Sequence, residues 1–439
     1  MTRREVLSAM ASCVVLGAIL TTPLSAGAAD PGSGLSPEER LGKSIFFDTN
    51  LSIDSNQACA ACHAPEAGWT GPLSDTNAGG AVYEGSIGGR FGNRKPPSAA
   101  YATPSPVLGY VIEHNEALFI GGNFWNGRAT GEKLDNPAAD QAQFPFVNPL
   151  EQASPDSACI VYKVCTASYP ASFEDVWGAG ACDIAWPHNI ANECRKEGRV
   201  VKLSAEDSTK VKMAYDNIAL SIAAYEDSSE VNQFSSKFDR TFAGEAKLTQ
   251  QEQRGYALFR GKALCSNCHI ANGQHALFTD FTYDNLGVPR NPENPFYGEP
   301  EFNPLGAAWI DLGLGGFLET RMDYQKYAYA NNGKQKVPTL RNVDKRPYEG
   351  FVKAYSHNGY FKSLKGIVHF YNTRDTKPRC ESQGIYDATE TMALANDCWP
   401  KPEVSVNVNH DELGDLGLSP EEEDAIVAFL KTLSDGYEP

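Results

Sequence analysis

Cys59-Ala60-Ala61-Cys62-His63 is the stretch on which the reading of this chain turns, and a second copy stands at Cys265-Ser266-Asn267-Cys268-His269. In a Cys-x-x-Cys-His run each thiol can form a thioether to a haem vinyl group, and the adjacent imidazole is then held against the iron as its proximal ligand. A structural zinc would want four closed ligands at knuckle spacing, and no second Cys-x-x-Cys or histidine pair lies close to either run. Two covalently bound haem c groups are therefore expected, one on Cys59, Cys62 and His63, the other on Cys265, Cys268 and His269.

What precedes each motif is also repeated. Ser36-Pro37-Glu38-Glu39 offers an N-cap serine, a proline at the first helical position and a glutamate closing a capping box, followed by Leu41, Ile45 and Phe46 on one face. Thr249-Gln250-Gln251-Glu252, followed by Tyr256 and Phe259, repeats the plan ahead of the second motif. A third box, Ser419-Pro420-Glu421-Glu422, opens a helix with Ile426, Val427, Phe429 and Leu430 apolar, suited to pack across the second haem-bearing helix. Val211 to Tyr225, with Met213, Ile218, Leu220 and Ile222, is its counterpart for the first. The expected fold is mainly α: two cytochrome c-like domains, residues 29–244 and 245–439, each with one covalent haem c. Long Gly-, Pro- and Asn-rich stretches at 64–110 and 284–316 are expected to be irregular walls of the cofactor pockets.

Arg3-Arg4, an apolar run from Val6 to Leu20 and the small residues Ala26-Gly27-Ala28 mark residues 1–28 as a secretory signal. Thr2 to Leu7 also resembles a twin-arginine signal, although haem attachment after export of an unfolded chain argues against that route. No other run is long and apolar enough to span a bilayer, so the mature protein is expected to be exported or periplasmic and soluble. Its charge, −17 less the net +1 of Arg3, Arg4 and Glu5, is −18, which disfavours nucleic acid as a partner. Cys13 leaves with the signal and four cysteines belong to the motifs. Cys159, Cys165, Cys182, Cys194, Cys380 and Cys398 remain for disulfides, Cys380 with Cys398 by proximity and the other four among themselves.

Phe124-Trp125-Asn126-Gly127-Arg128-Ala129, then Gln141-Ala142, Pro145 and Asn148-Pro149-Leu150-Glu151, resemble the bacterial di-haem cytochrome c peroxidase and MauG family. So do Val337-Pro338-Thr339-Leu340-Arg341-Asn342-Val343, His357-Asn358-Gly359 and Val368-His369-Phe370-Tyr371. The motifs run in family order over residues 36 to 433. The resemblance implies that hydrogen peroxide is reduced at the amino-terminal haem, with Glu151 as the acid/base, Gln141 as a polar orienter and Pro145 as a pocket wall. A positioned carboxylate suits this because cleaving peroxide requires carrying a proton from one oxygen to the other. Many of the peroxidases have an inhibitory histidine after the first motif, but this chain has none between His63 and His114, and His114 is a remote substitute.

At the second haem the resemblance implies Tyr371 as the further ligand, where electron-transferring relatives carry methionine and MauG carries tyrosine. His369 and Met322 are the competing candidates. A phenolate favours oxidised iron and lowers the potential. Trp125 is implied as a relay between the haems, and a calcium ion between the domains with Asn93 as its side-chain ligand. Asn93-Arg94-Lys95-Pro96-Pro97 departs from the family's Arg-Asn-x-Pro pattern, and extra residues lie between Tyr348 and His357, where carbonyl ligands are expected. MauG's surface tryptophan near its second motif corresponds to Ala263 here. The segment 153–198, with Trp177, Trp186 and His188, is expected as a disulfide-rich insertion, either a stapled loop or a partner surface. Three functions follow: a peroxidase fed by a small redox protein, a MauG-like oxidase of side chains on a protein substrate, and a pure electron-transfer cytochrome.

Overall fold

The computed structural model describes residues 34–114, 116–169 and 171–438; the expected signal segment and Cys13 lie outside them. The main helices are α1 (Pro37–Phe46), α2 (Pro137–Val147), α3 (Ser157–Thr166), α4 (Ala205–Asp227), α5 (Lys237–Phe242), α6 (Gln250–Arg260), α7 (Gly313–Glu319), α8 (Leu364–Thr373) and α9 (Pro420–Lys431). Shorter helical turns and two short antiparallel pairs complete the regular structure among the described residues. The pairs are β1 (Gly109–Glu113) with β2 (Glu116–Ile120), and β3 (Tyr283–Asp284) with β4 (Gln335–Lys336). The architecture is mainly helical, as the capping boxes and helical periodicity lead one to expect. No helix among the described residues is long and apolar enough to cross a membrane.

The internal repeat is physical. Ser36, Thr249 and Ser419 each accept from the backbone N–H three residues on, and the glutamate there reaches back to the cap, so all three capping boxes form. In the first half α4 crosses α1, burying Leu41, Ile45 and Phe46 against Ile218, Ile222 and Tyr225. In the second, α9 crosses α6 with Phe259, Ile426 and Phe429 at the centre. Each fully buried side chain of this kind contributes roughly 1.5–3 kcal/mol. The two crossings use the same device: a Cβ on Gly42 would lie 1.8 Å from the Ser221 carbonyl oxygen, and one on Gly255 1.8 Å from that of Ala425. Both helix pairs thus approach backbone to backbone, which only glycine permits.

Some placements differ from the sequence expectation. α4 is longer than Val211 to Tyr225, and Met213 lies off its buried stripe, 62% exposed. Phe238 on α5, ahead of the expected Gly244 boundary, packs with Phe259, Phe278 and Phe429 in the second core. The disulfides are Cys159–Cys194, Cys165–Cys182 and Cys380–Cys398, which keeps the first four cysteines among themselves. The segment 153–198 is more than a decoration, because Ile160, Val161 and Val164 of α3 are buried in the first core. Trp177 donates its Nε1–H to Ser221 Oγ at 2.9 Å and Trp186 packs on Tyr162, so these two rings are engaged within the protein, while His188 is exposed.

The two halves are joined by buried polar contacts. Tyr101 donates its hydroxyl to Asp435 Oδ2 at 2.7 Å, and Asn342 Nδ2 donates to the same oxygen at 2.9 Å. Within the second core Arg341, fully buried, fastens α5 through a bidentate pair with Asp239 at 2.7 and 2.9 Å and donates Nε–H to the Ala276 carbonyl.

Candidate active site

Both Cys-x-x-Cys-His runs open onto one cavity of about 1000 Å³. Each begins with a tight turn: His63 N–H bonds the Cys59 carbonyl at 3.0 Å and His269 N–H that of Cys265 at 2.9 Å, which gathers two thiols and an imidazole on one wall. The Trp69 carbonyl accepts from His63 Nδ1 at 3.2 Å and the Phe278 carbonyl from His269 Nδ1 at 2.8 Å. A ring held this way keeps Nε2 as its metal-binding nitrogen. Burial, partly offset by those carbonyls, lowers both imidazoles to about 4, the neutral state a metal ligand needs. Among the described residues Cys59, Cys62, Cys265 and Cys268 are the cysteines outside disulfides, and burial pushes Cys59 and Cys265 up to about 12. Two thiols and one neutral imidazole, twice over on one cavity, fit two covalently attached haems.

At the first motif the cavity is lined by Gln141 and Pro145 from α2 and by Glu151 from the turn after it. Asn136 caps α2 through the N–H groups of Ala138 and Ala139, and Asn148 closes its far end, accepting from Glu151 N at 3.0 Å. That local folding brings the three residues to one wall. Burial raises the Glu151 carboxyl, and the Arg128 guanidinium and Asn148 oppose the rise. Arg128 stacks 3.6 Å from the Phe124 ring and bonds Asn126 Oδ1 at 3.2 Å; burial and nearby Arg94 lower it to about 10.

Two residues of this wall were not singled out from the sequence. Arg128 lies inside the Phe124–Ala129 run, and a cation beside a candidate proton carrier was the available signal. Glu226 is buried on α4 and faces the same cavity; desolvation raises it to about 8. Its spacing from Ile218 and Ile222 put a carboxyl on an apolar stripe. Trp125 is buried, donates Nε1–H to the Lys95 carbonyl at 2.7 Å, and lies 6.4 Å from the His357 ring. His114 sits exposed at the turn between β1 and β2, and does not line the cavity.

At the second motif Tyr371 lines the cavity with Cys265, Cys268 and His269. Burial, then the neighbouring thiols, pushes its hydroxyl pKa up. His369, two positions earlier on α8, turns away: its Nδ1 lies 2.8 Å from Glu423 Oε1 and its ring packs on Trp399. Met322 is 97% exposed. Ala263 is buried, so the position at which the resemblance implies a surface tryptophan is interior here.

Asn93 faces the cavity, and its carbonyl accepts from Asn294 Nδ2 at 3.1 Å. Its neighbours in sequence are cations. Arg94 is paired with Asp311 through two 2.6 Å bonds, and Lys95 is buried. Among the described residues the grouping of three carboxylate, thiol or imidazole donors is Cys268, Asp284 and Glu412, at the second motif and away from Asn93. A calcium ion wants six to eight oxygen ligands, usually with carboxylates among them. The surroundings of Asn93 do not fit one.

The family model described as di-haem cytochrome c peroxidase matches residues 36–247. The chain is 34% identical over 411 residues to the methylamine utilization protein MauG of Paracoccus denitrificans (strain Pd 1222), covering 91% of this chain and 89% of that one. Cytochrome-c peroxidase IdrP1 of Denitromonas iodatirespirans is 26% identical over 405 residues, covering 90% and 80%. The crystal structure of the diheme peroxidase BthA from Burkholderia thailandensis E264 aligns with a TM-score of 0.66 and 27% identity over 92% of this chain and 90% of that one. With two haem-attachment motifs on one cavity and relatives matched along nearly the whole length, the chain belongs to the di-haem cytochrome c peroxidase family of oxidoreductases.

Proposed function

We propose that the protein reduces hydrogen peroxide at the His63 site, taking up two protons and two electrons to release two waters, and that the His269 site passes or stores the oxidising equivalents. The observation that supports this reading is that Glu151 and Gln141 line the same cavity as His63. A haem bound at each motif supplies an iron that exchanges electrons and, at an open face, binds peroxide. The remaining work belongs to side chains. Glu151 accepts a proton from one peroxide oxygen and returns it to the other; its raised pKa suits a group that must hold a proton part of the time. Gln141 orients the substrate by hydrogen bonding, Pro145 closes the wall, and Arg128 offsets the charge that Glu151 carries when ionised. Trp125 and Tyr371 both line the cavity; in this reading Trp125 relays oxidising equivalents between the two sites, and the Tyr371 phenolate would hold the second haem and lower its potential.

The tyrosine at 371 and the likeness to Paracoccus MauG support a second reading, in which the oxidised groups are side chains of a partner protein. Buried Ala263 removes the exit implied by the MauG resemblance, so a small redox protein is the favoured electron source. We place haem attachment after export by the signal at residues 1–28. Calcium has no part in this reading.

Glu151→Gln is the test. With both haems attached and absorbing normally, peroxide turnover should fall roughly 10²–10⁴-fold. Undiminished turnover removes Glu151 from the mechanism. Peroxide added without donor separates the two readings: a long-lived state oxidised by two equivalents indicates the MauG-like one.

A further inference from the structure

Two buried lysines meet where the domains join, and the peroxide reading uses neither. Lys353 is 4% exposed, and its Nζ lies 2.8 Å from the Ala67 carbonyl, 2.8 Å from that of Asn342 and 3.0 Å from that of Lys345. Burial, then the neighbouring Lys95, pushes the Lys353 pKa down, but three carbonyl acceptors require three N–H donors, which only the ammonium form provides, and this contact set holds the proton on. Ala67 stands in the turn that follows His63; Asn342 and Lys345 belong to the carboxy-terminal half. Gly68, at φ 75°, makes this approach possible, because a Cβ there would lie 2.8 Å from the Asn342 carbonyl oxygen and 3.0 Å from Lys353 Nζ.

Lys95 forms the second part. Its Nζ donates to Thr70 Oγ1 at 3.0 Å and to the Pro96 carbonyl at 2.9 Å, while its own backbone N–H bonds the His357 carbonyl at 2.8 Å. With Arg94 set on the arginine of the family's Arg-Asn-x-Pro pattern, Lys95 takes the place of the asparagine. Lys353 falls in the segment between Tyr348 and His357, where calcium-binding carbonyls are expected. The surrounding donors are therefore carbonyl and hydroxyl oxygens, the type a hard cation wants, but ammonium groups already occupy them. The carboxylate beside Lys353, Asp344, is engaged by Arg346 at 2.8 Å. A divalent cation placed here would meet two like charges and find no carboxylate of its own.

We propose that Lys353 supplies the positive charge that ties the two haem domains together, with the Lys95 ammonium beside it on the first domain and the Lys95 backbone N–H bonded across, replacing a calcium ion, so that the protein is built to work without a divalent cation at this junction. The lysine strut also bears on the first haem, since the turn it grips carries Trp69, whose carbonyl orients His63.

The test uses the purified di-haem protein. After incubation with calcium and desalting, elemental analysis should find far less than one calcium per chain. EGTA should leave the melting temperature and the oxidised EPR spectrum unchanged. About one calcium per chain, removed by EGTA with a change in either readout, overturns the proposal. Lys353→Met should lower the melting temperature by roughly 5 °C or more and shift the EPR signal of the first haem; an unshifted melting point and spectrum also overturn it. Should that variant fail to fold, the calcium content and EGTA response of the unaltered protein decide the matter. Peroxide reactivity enters none of these readouts, so the proposal stands or falls separately from the peroxidase reading.

Discussion

Replacing Glu226 with leucine copies into the first domain what the repeat already has in the second. The Gly42–Ser221 and Gly255–Ala425 crossings align Ile222 with Ile426 and therefore Glu226 with Leu430, and all four of these side chains face the cavity. Burial raises Glu226 from the ordinary 4.5 to about 8. Between those values the folded protein holds a proton that the unfolded chain has released, so stability falls as pH rises across this window. Below pH 4.5 both states are protonated and nothing is lost; above pH 8 both are ionised and the full cost is carried. At ~1.4 kcal/mol per pH unit the loss sums to about 5 kcal/mol. Glu226→Leu should therefore unfold like the parent near pH 4.5, apart from an apolar gain of about 1 kcal/mol, and be more stable by about 5 kcal/mol at pH 8. Glu226→Gln, which keeps the shape and removes the charge, should flatten the pH profile in the same way. Guanidinium unfolding of the haem-loaded protein at a series of pH values, followed by circular dichroism, measures the difference. Parallel pH profiles for parent and both variants would show that Glu226 finds a partner or water when ionised, and would refute the argument.

Two further outcomes follow from the same geometry. Tyr371→Met should raise the reduction potential of the second haem and introduce a thioether-to-iron charge-transfer band in the oxidised spectrum; an unchanged spectrum would mean that residue 371 is not a ligand. Arg341→Met leaves Asp239 buried without its bidentate partner and should cost roughly 3–5 kcal/mol in unfolding experiments, with Asp239→Asn/Arg341→Met recovering part of it; a loss below 1 kcal/mol would show that water reaches Asp239.

Much of the site could be read before folding because it is written in short-range chemistry. Cys-x-x-Cys-His places three groups of one cofactor within five residues, and a capping box closes over three, so both survive any tertiary arrangement. Gln141 and Glu151 were legible only through the family resemblance, since their spacing alone does not distinguish them from surface residues; one helix end and one turn bring both to the cavity. The choice among Tyr371, His369 and Met322 was of another kind. It depends on which face α8 turns to the cavity, and Glu423 and Trp399, distant in sequence, are what hold His369 on the opposite side.

By itself the sequence determined that there are two haem anchors, that each follows a capped amphipathic helix, and that six other cysteines are available for disulfides. Tertiary structure alone decided that α5 joins the second core, that segment 153–198 is built into the first, and that Glu226 is buried against the cavity. It alone seated Lys353 on carbonyls from both halves of the chain. The division has a physical cause. Helix caps and attachment motifs are satisfied by hydrogen bonds and covalent bonds a few residues long, whereas a buried charge is assigned its neighbours only when remote segments close around it and water is excluded.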